Sequence, residues 1–125
     1  MSSNSLKRTE ILKGKIAIRS LFEDGRKAHD FPIMLIWRWK SKGDVPLRMA
    51  FTVSKKKFKR AVDRNRIKRL LREAYRLNNE PLSAIAQEKN SSLEAMLIYT
   101  GRKMPEMKEV EQKIIALLSR LQIEE

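Results

Sequence analysis

The sequence predicts one α+β domain in which a small β-sheet packs against helices. Along the chain, helical spacing and strand alternation follow each other in the order helix, two strands, helix, strand, helix, with room for one further short strand. The chain has 125 residues, of which 42% are apolar, and this suits a single modest core. Residues 1–10 are mostly polar and are expected to form a flexible arm, so the domain is expected to span residues 11–125.

The first helix is predicted by a short apolar pattern between two glycines. Gly14 would weaken a helix interior, so the helix is expected to begin at about Lys15. Gly25 suits the position that follows the last helical residue. The residues with helical i, i+3, i+4 spacing between these glycines are Ile18, Leu21 and Phe22.

Two strands are predicted after this helix. The segment from Phe31 to Trp39 is rich in aromatic and branched residues, and both of its alternating faces are largely apolar, so both are expected to be covered. Ser, Gly, Asp and Pro between Lys40 and Pro46 predict a hairpin loop. The second strand, from Leu47 to Ser54, alternates more cleanly between apolar and polar residues. One face is expected to be core, and the other, with small and polar residues, suits a wet groove. The core residues expected in this strand are Met49, Phe51 and Val53.

The second half of the chain predicts a basic helix, a strand and a final helix. The basic helix is expected from about Lys59 to Leu77 and is ended by the segment Asn78-Asn79-Glu80-Pro81. The segment from Leu82 to Ser92 carries both helical and loop signals and stays open, whereas Ala95 to Thr100 predicts a strand. Pro105 suits the first position of the last helix. The apolar stripe of that helix is Met107, Val110, Ile114, Leu117, Leu118 and Leu121.

The charge of the chain is concentrated in one segment. The formal net charge is +13, which indicates a polyanionic partner, either nucleic acid or an anionic membrane surface. Residues 55–76 contain eleven Lys or Arg against two acidic residues, and so carry nine of the thirteen net positive charges. The basic character therefore belongs to a site. The chain contains no cysteine, which excludes a disulfide framework and a cysteine zinc site.

The basic helix divides into an apolar side and a cationic side when its residues are placed at about 100° each. A solvated face usually mixes charge signs, and like charges at i, i+4 repel each other, so an unmixed cationic side favours a polyanion site over a solubilising face. The apolar side lacks Trp and Phe and has the size of a core contact, which favours nucleic acid over a membrane. The predicted apolar side is Ile67, Leu70, Leu71, Ala74 and Leu77. The predicted cationic side is Arg64, Asn65, Lys68, Arg69, Arg72 and Arg76.

The residue types on the cationic side favour RNA. Arginine offers forked donors that match the edges of a phosphate group. Asn65 can both donate and accept hydrogen bonds, so it suits a base edge, a 2′-hydroxyl or a metal-bound water. Tyr75 lies at the edge of this side, and the sequence leaves open whether it packs in the core or contacts RNA.

One motif in this segment resembles the signature of a known family. Ser54-Lys55-Lys56, then Arg60-Ala61-Val62, then Arg64-Asn65-Arg66-Ile67-Lys68-Arg69-Leu70-Leu71-Arg72-Glu73, resembles the signature of the ribonuclease P protein family. Leu21-Phe22 with Gly25 resembles the end of that family's first helix. The resemblance implies a four-stranded, mostly antiparallel sheet with three helices and a left-handed βαβ crossover, the fold of the ribosomal protein S5 domain 2 type.

The same resemblance implies a function in removing the 5′ leader from precursor tRNA. The partners would be the RNA subunit of ribonuclease P, which holds the active site and uses Mg²⁺, and the precursor tRNA itself. No catalytic residue, metal ligand or bound cofactor is then expected on this chain. The implied RNA-subunit contacts are Lys55, Lys56, Lys57, Lys59, Arg60, Arg64, Asn65, Arg66, Lys68, Arg69 and Arg72. The implied cleft for the single-stranded leader consists of Ile18, Phe22, Ile36 and Arg38.

Other functions fit the sequence less well. A protein nuclease would need clustered carboxylates to hold its metal ions, but the acidic residues are scattered. His29, the one histidine, has no obvious catalytic partner. A ribosomal or other structural RNA-binding protein would suit the composition equally but not the motif. The longest apolar run, Ile33 to Trp37, is too short to span a bilayer, and the first residues lack the apolar core of a signal peptide, so a cytoplasmic protein is expected.

Overall fold

The computed structural model describes residues 10–41, 43 and 45–123. Apart from Glu10, the arm expected at residues 1–10 lies outside the described residues. The described part contains four helices and four strands, one helix more than the family resemblance implies. In chain order they are α1 (Lys15–Asp24), β1 (Arg26–Asp30), β2 (Ile33–Ser41), β3 (Leu47–Val53), α2 (Ala61–Asn78), α3 (Glu80–Lys89), β4 (Ser91–Tyr99) and α4 (Met107–Ile123).

The four strands form one mixed sheet in the order β1-β2-β4-β3. β2 is antiparallel to both β1 and β4, whereas β3 runs parallel to β4, so the prediction of a mostly antiparallel sheet is confirmed. The predicted hairpin between β2 and β3 is wrong, because β4 lies between them and pairs with both, as Ala95 does with Trp37 and Met49. β4 is buried along most of its length, and a strand with two apolar faces gains most from a central place. The left hand of the connection from β3 to β4 stays a prediction.

Helices cover both faces of the sheet. Strand alternation sends Leu35 to one face and Ile36 to the other, and both side chains are fully buried. The main core lies between the sheet and α2, α3 and α4. A smaller core lies beneath α1 and includes Ala50 at 5% exposure, so the prediction of a wet face on that side of β3 is wrong at this position. The smaller core consists of Leu12, Leu21, Ile36, Ala50 and Met96.

The helix and strand bounds differ from the predictions at several places. α1 begins at Lys15 as predicted, but α2 begins at Ala61, because residues 55–57 form a turn. The open segment after α2 is the helix α3, which follows after the single residue Asn79 and carries proline in its first turn. Asn90, with a φ of 53°, ends α3 and leads directly into β4, which begins four residues before the predicted strand.

Two tyrosines, Tyr75 of α2 and Tyr99 of β4, lie in the main core. Tyr75 is 1% exposed, and its ring meets Phe51 edge-on at 5.9 Å. The Tyr99 hydroxyl donates a hydrogen bond to the Lys103 carbonyl oxygen at 2.6 Å. Burial raises the pKa of both phenols above the ordinary value. Tyr75 is therefore a core residue, which settles the question that its place on the edge of the cationic side left open.

We expect both tyrosines to stay protonated at the pH, about 10, where exposed tyrosine ionises. The unfolded chain releases these protons near pH 10 and the native chain does not. The free energy of unfolding is therefore unaffected below that pH and falls as the pH rises above it. An alkaline titration followed at 295 nm and by circular dichroism checks this, with concentrated urea as the control in which both tyrosines titrate normally. Ionisation of one tyrosine near pH 10 in a fully native protein would contradict it.

Candidate nucleic-acid interface

The basic helix α2 packs on the sheet through four buried side chains. Ile67, Leu71, Ala74 and Tyr75 are each at most 1% exposed, whereas Leu77 is 49% exposed. The core side of α2 is thus rotated by about 50° from the predicted apolar side, toward Tyr75. The spacing of Tyr75, four residues after Leu71 and eight after Ile67, was the signal that could have shown this.

The rotation brings Arg66 onto the solvent side of α2. Its side chain is exposed, as are those of Asn65, Arg69 and Arg72, while Lys68 is half-buried at the rim. None of these side chains has an ion-pair partner within the part of the chain that the structure describes. They leave four cations and one amide together on about two turns of helix. We call this set the α2 surface; it consists of Asn65, Arg66, Lys68, Arg69 and Arg72.

The two acidic residues of α2, Asp63 and Glu73, are each paired with an arginine three residues away. Asp63 lies 3.8 Å from Nε of Arg60, near the start of the helix. Glu73 is paired with Arg76, whose Nε donates to Oε2 at 3.1 Å, and this hydrogen bond lowers the pKa of Glu73. Each acid therefore has a cationic partner outside the α2 surface, so neither neutralises it.

Arg64 has a different position from the other predicted RNA contacts. Its Nη1 donates hydrogen bonds to the carbonyl oxygens of Phe58 and Lys59, both at 2.8 Å. The residue before the helix, Arg60, makes no side-chain cap. The Arg64 guanidinium thus braces the turn that leads into α2. These two bonds use Nη1 alone, so Arg64 stays a predicted RNA contact through its other N–H donors.

The lysines before α2 surround one buried aromatic residue. Phe58 is 8% exposed and packs 6.0 Å from the ring of Tyr99, which fixes the turn against the sheet. Lys55, Lys56 and Lys59 are exposed around it and extend the positive charge of the α2 surface. Nζ of Lys57 donates to the carbonyl oxygen of Thr100, so this lysine also joins the turn to the end of β4.

The four residues predicted to form the leader cleft do not line one open groove. Ile36 is 0% exposed beneath α1, so the prediction that it lines an accessible cleft is wrong for this arrangement. Arg38 donates from Nε to Oε1 of the buried Glu94 at 3.0 Å and from Nη1 to Oγ of Ser20 at 2.8 Å. Ser20 lies more than a quarter-turn away from Ile18 and Phe22 on α1, so Arg38 faces the opposite flank of the helix.

The other flank of α1 borders an open part of the sheet. Phe22 is 49% exposed, and Nζ of Lys27 lies 5.1 Å from its ring centre. On the sheet, Met34 of β2 pairs with Ile98 of β4, and both side chains are half-buried. Sequence reasoning missed these two residues, although Met34 shares its strand face with Ile36 and Arg38. We call this region the α1 groove; it consists of Ile18, Phe22, Lys27, Met34 and Ile98.

The acidic residues supply no metal centre in the described structure. No group of three or more His, Asp or Glu side chains lies close enough to hold an ion among residues 10–41, 43 and 45–123. No helix in that same part of the chain is long and apolar enough to cross a membrane.

Comparisons with known proteins agree with this geometry. A model of the ribonuclease P family matches residues 6–122. The chain belongs to the ribonuclease P protein family. A ribonuclease P protein component from Porphyromonas gingivalis is 33% identical over 117 residues, which cover 93% of this chain and 85% of the relative. Another, from Chlorobaculum tepidum, is 45% identical over 85 residues, which cover 65% of this chain and 55% of that protein.

Solved structures of the family share the fold. The ribonuclease P protein from Thermotoga maritima superposes with a TM-score of 0.66 at 20% identity, covering 89% of this chain and 96% of that one. The protein from Staphylococcus aureus gives 0.65 at 16% identity, with 90% and 94% covered. As a member of the ribonuclease P family, the chain is the protein subunit of an endoribonuclease that matures tRNA, and the catalytic role lies with the RNA subunit. The alternative of a ribosomal protein is therefore wrong.

Proposed function

We propose that the α2 surface binds the RNA subunit of ribonuclease P and that the α1 groove binds the 5′ leader of precursor tRNA. The RNA subunit cleaves with Mg²⁺ at its own active site, and the protein contributes by holding both RNAs. A protein that binds these two RNAs would act in the bacterial cytoplasm, and this localisation is part of the proposal.

The proposed binding of the RNA subunit rests on the positive charge of the α2 surface, which has no ion-pair partner among the described residues. Arg66, Arg69 and Arg72 project into solvent from a helix whose opposite side is fixed in the core. Such a cluster repels itself, and the repulsion is relieved when phosphates replace the released counterions. Because the helix is packed on the core, the backbone positions from which these arginines project are fixed before RNA binds, although ordering their side chains still costs entropy on binding.

The second part of the proposal, leader binding, rests on one exposed aromatic ring beside a cation. Phe22 offers a ring on which an unstacked base can lie, and Lys27 beside it offers a phosphate contact. Ile18, Met34 and Ile98 supply an aliphatic floor rather than further aromatic rings. The groove therefore suits a single strand read with little sequence preference, as the leaders of many different tRNAs require.

We expect the purified protein to restore cleavage of precursor tRNA by the cognate RNA subunit at low Mg²⁺. Its cations replace some of the metal ions that otherwise screen phosphates brought close together. The measurement is the cleavage rate over a Mg²⁺ titration, with and without protein, and the control replaces the protein by an equal concentration of spermidine. If the protein raised the rate no more than the polyamine at every Mg²⁺ concentration, the proposed function would be lost.

Replacement of Phe22 by alanine is expected to weaken binding of leader-bearing tRNA by about five- to tenfold, since one base loses its stacking surface. Binding of the RNA subunit should not change, because Phe22 lies on the opposite face of the sheet from α2. The Kd of the holoenzyme is measured for precursor tRNA and for mature tRNA, which lacks the leader. Ile115→Ala, which removes another exposed side chain, on α4, is the control. Equal losses for both tRNAs would show that the groove does not bind the leader.

A further inference from the structure

A pocket at one end of the sheet lies outside both the α2 surface and the α1 groove. It is enclosed by the turn between β1 and β2, the segment that follows β4, and the first turns of α4. Its volume of about 890 Å³ falls within the range of small-molecule sites, roughly 300–1,000 Å³. The residues on which its chemistry depends are Phe31, Lys57, Tyr99, Arg102, Lys103 and Met104.

The wall of this pocket is tightly built. The backbone nitrogen of Thr100 donates to the Pro32 carbonyl oxygen at 2.7 Å, and the Tyr99 hydroxyl donates to the Lys103 carbonyl oxygen at 2.6 Å. A Cβ atom at Gly101 would lie 2.5 Å from the Tyr99 hydroxyl and 3.0 Å from Cβ of Pro32, so only glycine fits there. The segment after β4 is therefore fixed around Tyr99, and the pocket exists before any ligand arrives.

The pocket combines one exposed aromatic ring with excess positive charge. Phe31 is 65% exposed, although a phenylalanine in a rigid turn could be expected to pack inward. Four of the lining residues are Lys or Arg and two are Glu. Arg102 and Lys103 are exposed and have no ion-pair partner among the residues that the structure describes. A flat apolar surface beside cations fits a nucleotide, with its base on the ring and its phosphate on the cations.

We propose that this pocket binds one unpaired nucleotide of the RNA subunit, with the base against Phe31 and the phosphate at Arg102 and Lys103. The inference rests on the proposed docking of that RNA on α2. Lys57 makes the connection, because it lines the pocket, bonds to Thr100 and belongs to the turn that leads into α2. An RNA that lies along the α2 surface and this turn thus reaches the pocket without crossing the α1 groove, which lies on the other face of the sheet.

The test measures the Kd of the full-length protein for the cognate RNA subunit. Phe31→Ala and Phe31→Leu are expected to weaken binding about tenfold through lost stacking, while Phe31→Trp retains wild-type affinity. The salt dependence should keep its slope in these variants, because no phosphate contact is lost. The double variant Arg102→Ala, Lys103→Ala should lower the slope by about one unit for each phosphate contact removed. Ile115→Ala, exposed and distant from the pocket, controls for loss of apolar surface, and thermal melts confirm folding.

Three results would overturn the inference. In the first, Phe31→Ala keeps its affinity for the RNA subunit while the double variant Arg66→Ala, Arg69→Ala loses it. This would show that the α2 surface binds the RNA and that the pocket does not. Retained affinity in Phe31→Leu but not in Phe31→Ala would show an apolar contact without base stacking. A loss confined to leader-bearing tRNA would assign the pocket to the leader. If the wild-type protein did not bind the RNA subunit, the proposed function itself would fail, which is a separate result.

Discussion

Replacing Arg66, Lys68, Arg69 and Arg72 together by alanine should weaken binding of the RNA subunit by roughly 100- to 1,000-fold near 0.15 M salt. Each phosphate contact releases roughly 0.7 to 0.9 counterions, so loss of four contacts should lower the slope of log K against log salt by about three units. The fold should survive, because these side chains face solvent or the rim of α2 and none has an ion-pair partner in the described structure. Filter binding from 50 to 500 mM salt measures both quantities.

The matching control removes charge without touching the α2 surface. Arg48 of β3 and Arg120 of α4 are exposed and lie on other parts of the molecule. Their double replacement lowers the net charge as much as Arg66→Ala with Arg69→Ala does, but it should leave the slope within about half a unit of wild type. Equal slopes for the two double variants would mean that net charge, and not the α2 surface, attracts the RNA.

Three of the four helices, α1, α2 and α4, could be predicted from the sequence because their signals are local, whereas α3 stayed open between helix and loop. α1 begins directly after Gly14, a residue that disfavours a helix interior. The apolar stripe of α4 is buried from Val110 to Leu121, as its helical spacing predicts. β1 left no such signal. It is a charged edge strand in which only Ala28 is buried, so neither alternation nor composition distinguishes it from a loop. The pairing of β4 between β2 and β3 depends on contacts that are distant in sequence. The loop between β2 and β3 is typical of a hairpin, so the sequence predicted that these two strands pair directly.

In the candidate site, too, the sequence predicted what local helix spacing decides and missed what long-range packing decides. The motif alone brings Asn65, Arg69 and Arg72 to one exposed side, because residues at i, i+3 and i+4 share a helix face. Sequence could not show that Arg64 would turn toward the carbonyls of the preceding turn, since that depends on the path of the chain before α2. Nor could it show the burial of Ile36, which is set by how α1 lies across the sheet.

Arg38 is the cleft residue whose role the structure changes most. Its guanidinium joins β2 to the buried Glu94 on β4 and to Ser20 on α1, with Asp24 at 3.8 Å. The side chains of Arg38 and Glu94 are only 21% and 12% exposed, so the pair is largely shielded from water. In this position it holds α1 on the sheet, and through α1 it fixes the position of Phe22 in the α1 groove.

Arg38→Ala is therefore expected to lower the free energy of unfolding by about 3 kcal/mol, because it leaves the Glu94 carboxylate buried without its main partner. For a domain of this size that corresponds to a fall in Tm of about 10 °C or more. The control is Lys40→Ala, since Lys40 lies 3.8 Å from the same carboxylate but its side chain is 53% exposed. Its loss should cost less than about 1 kcal/mol. Thermal and urea unfolding measure both variants.

The double variant Arg38→Met, Glu94→Leu separates a structural role from an RNA contact. Removing both charges also removes the buried unpaired carboxylate, so most of the stability lost in Arg38→Ala should return. If Arg38 acts only by holding α1, leader binding should recover together with stability, because Phe22 returns to its place. A stable double variant that still binds leader-bearing tRNA as weakly as Arg38→Ala would instead make the Arg38 guanidinium a direct contact of the leader. A double variant no more stable than Arg38→Ala would show that the pair does more than neutralise a buried charge.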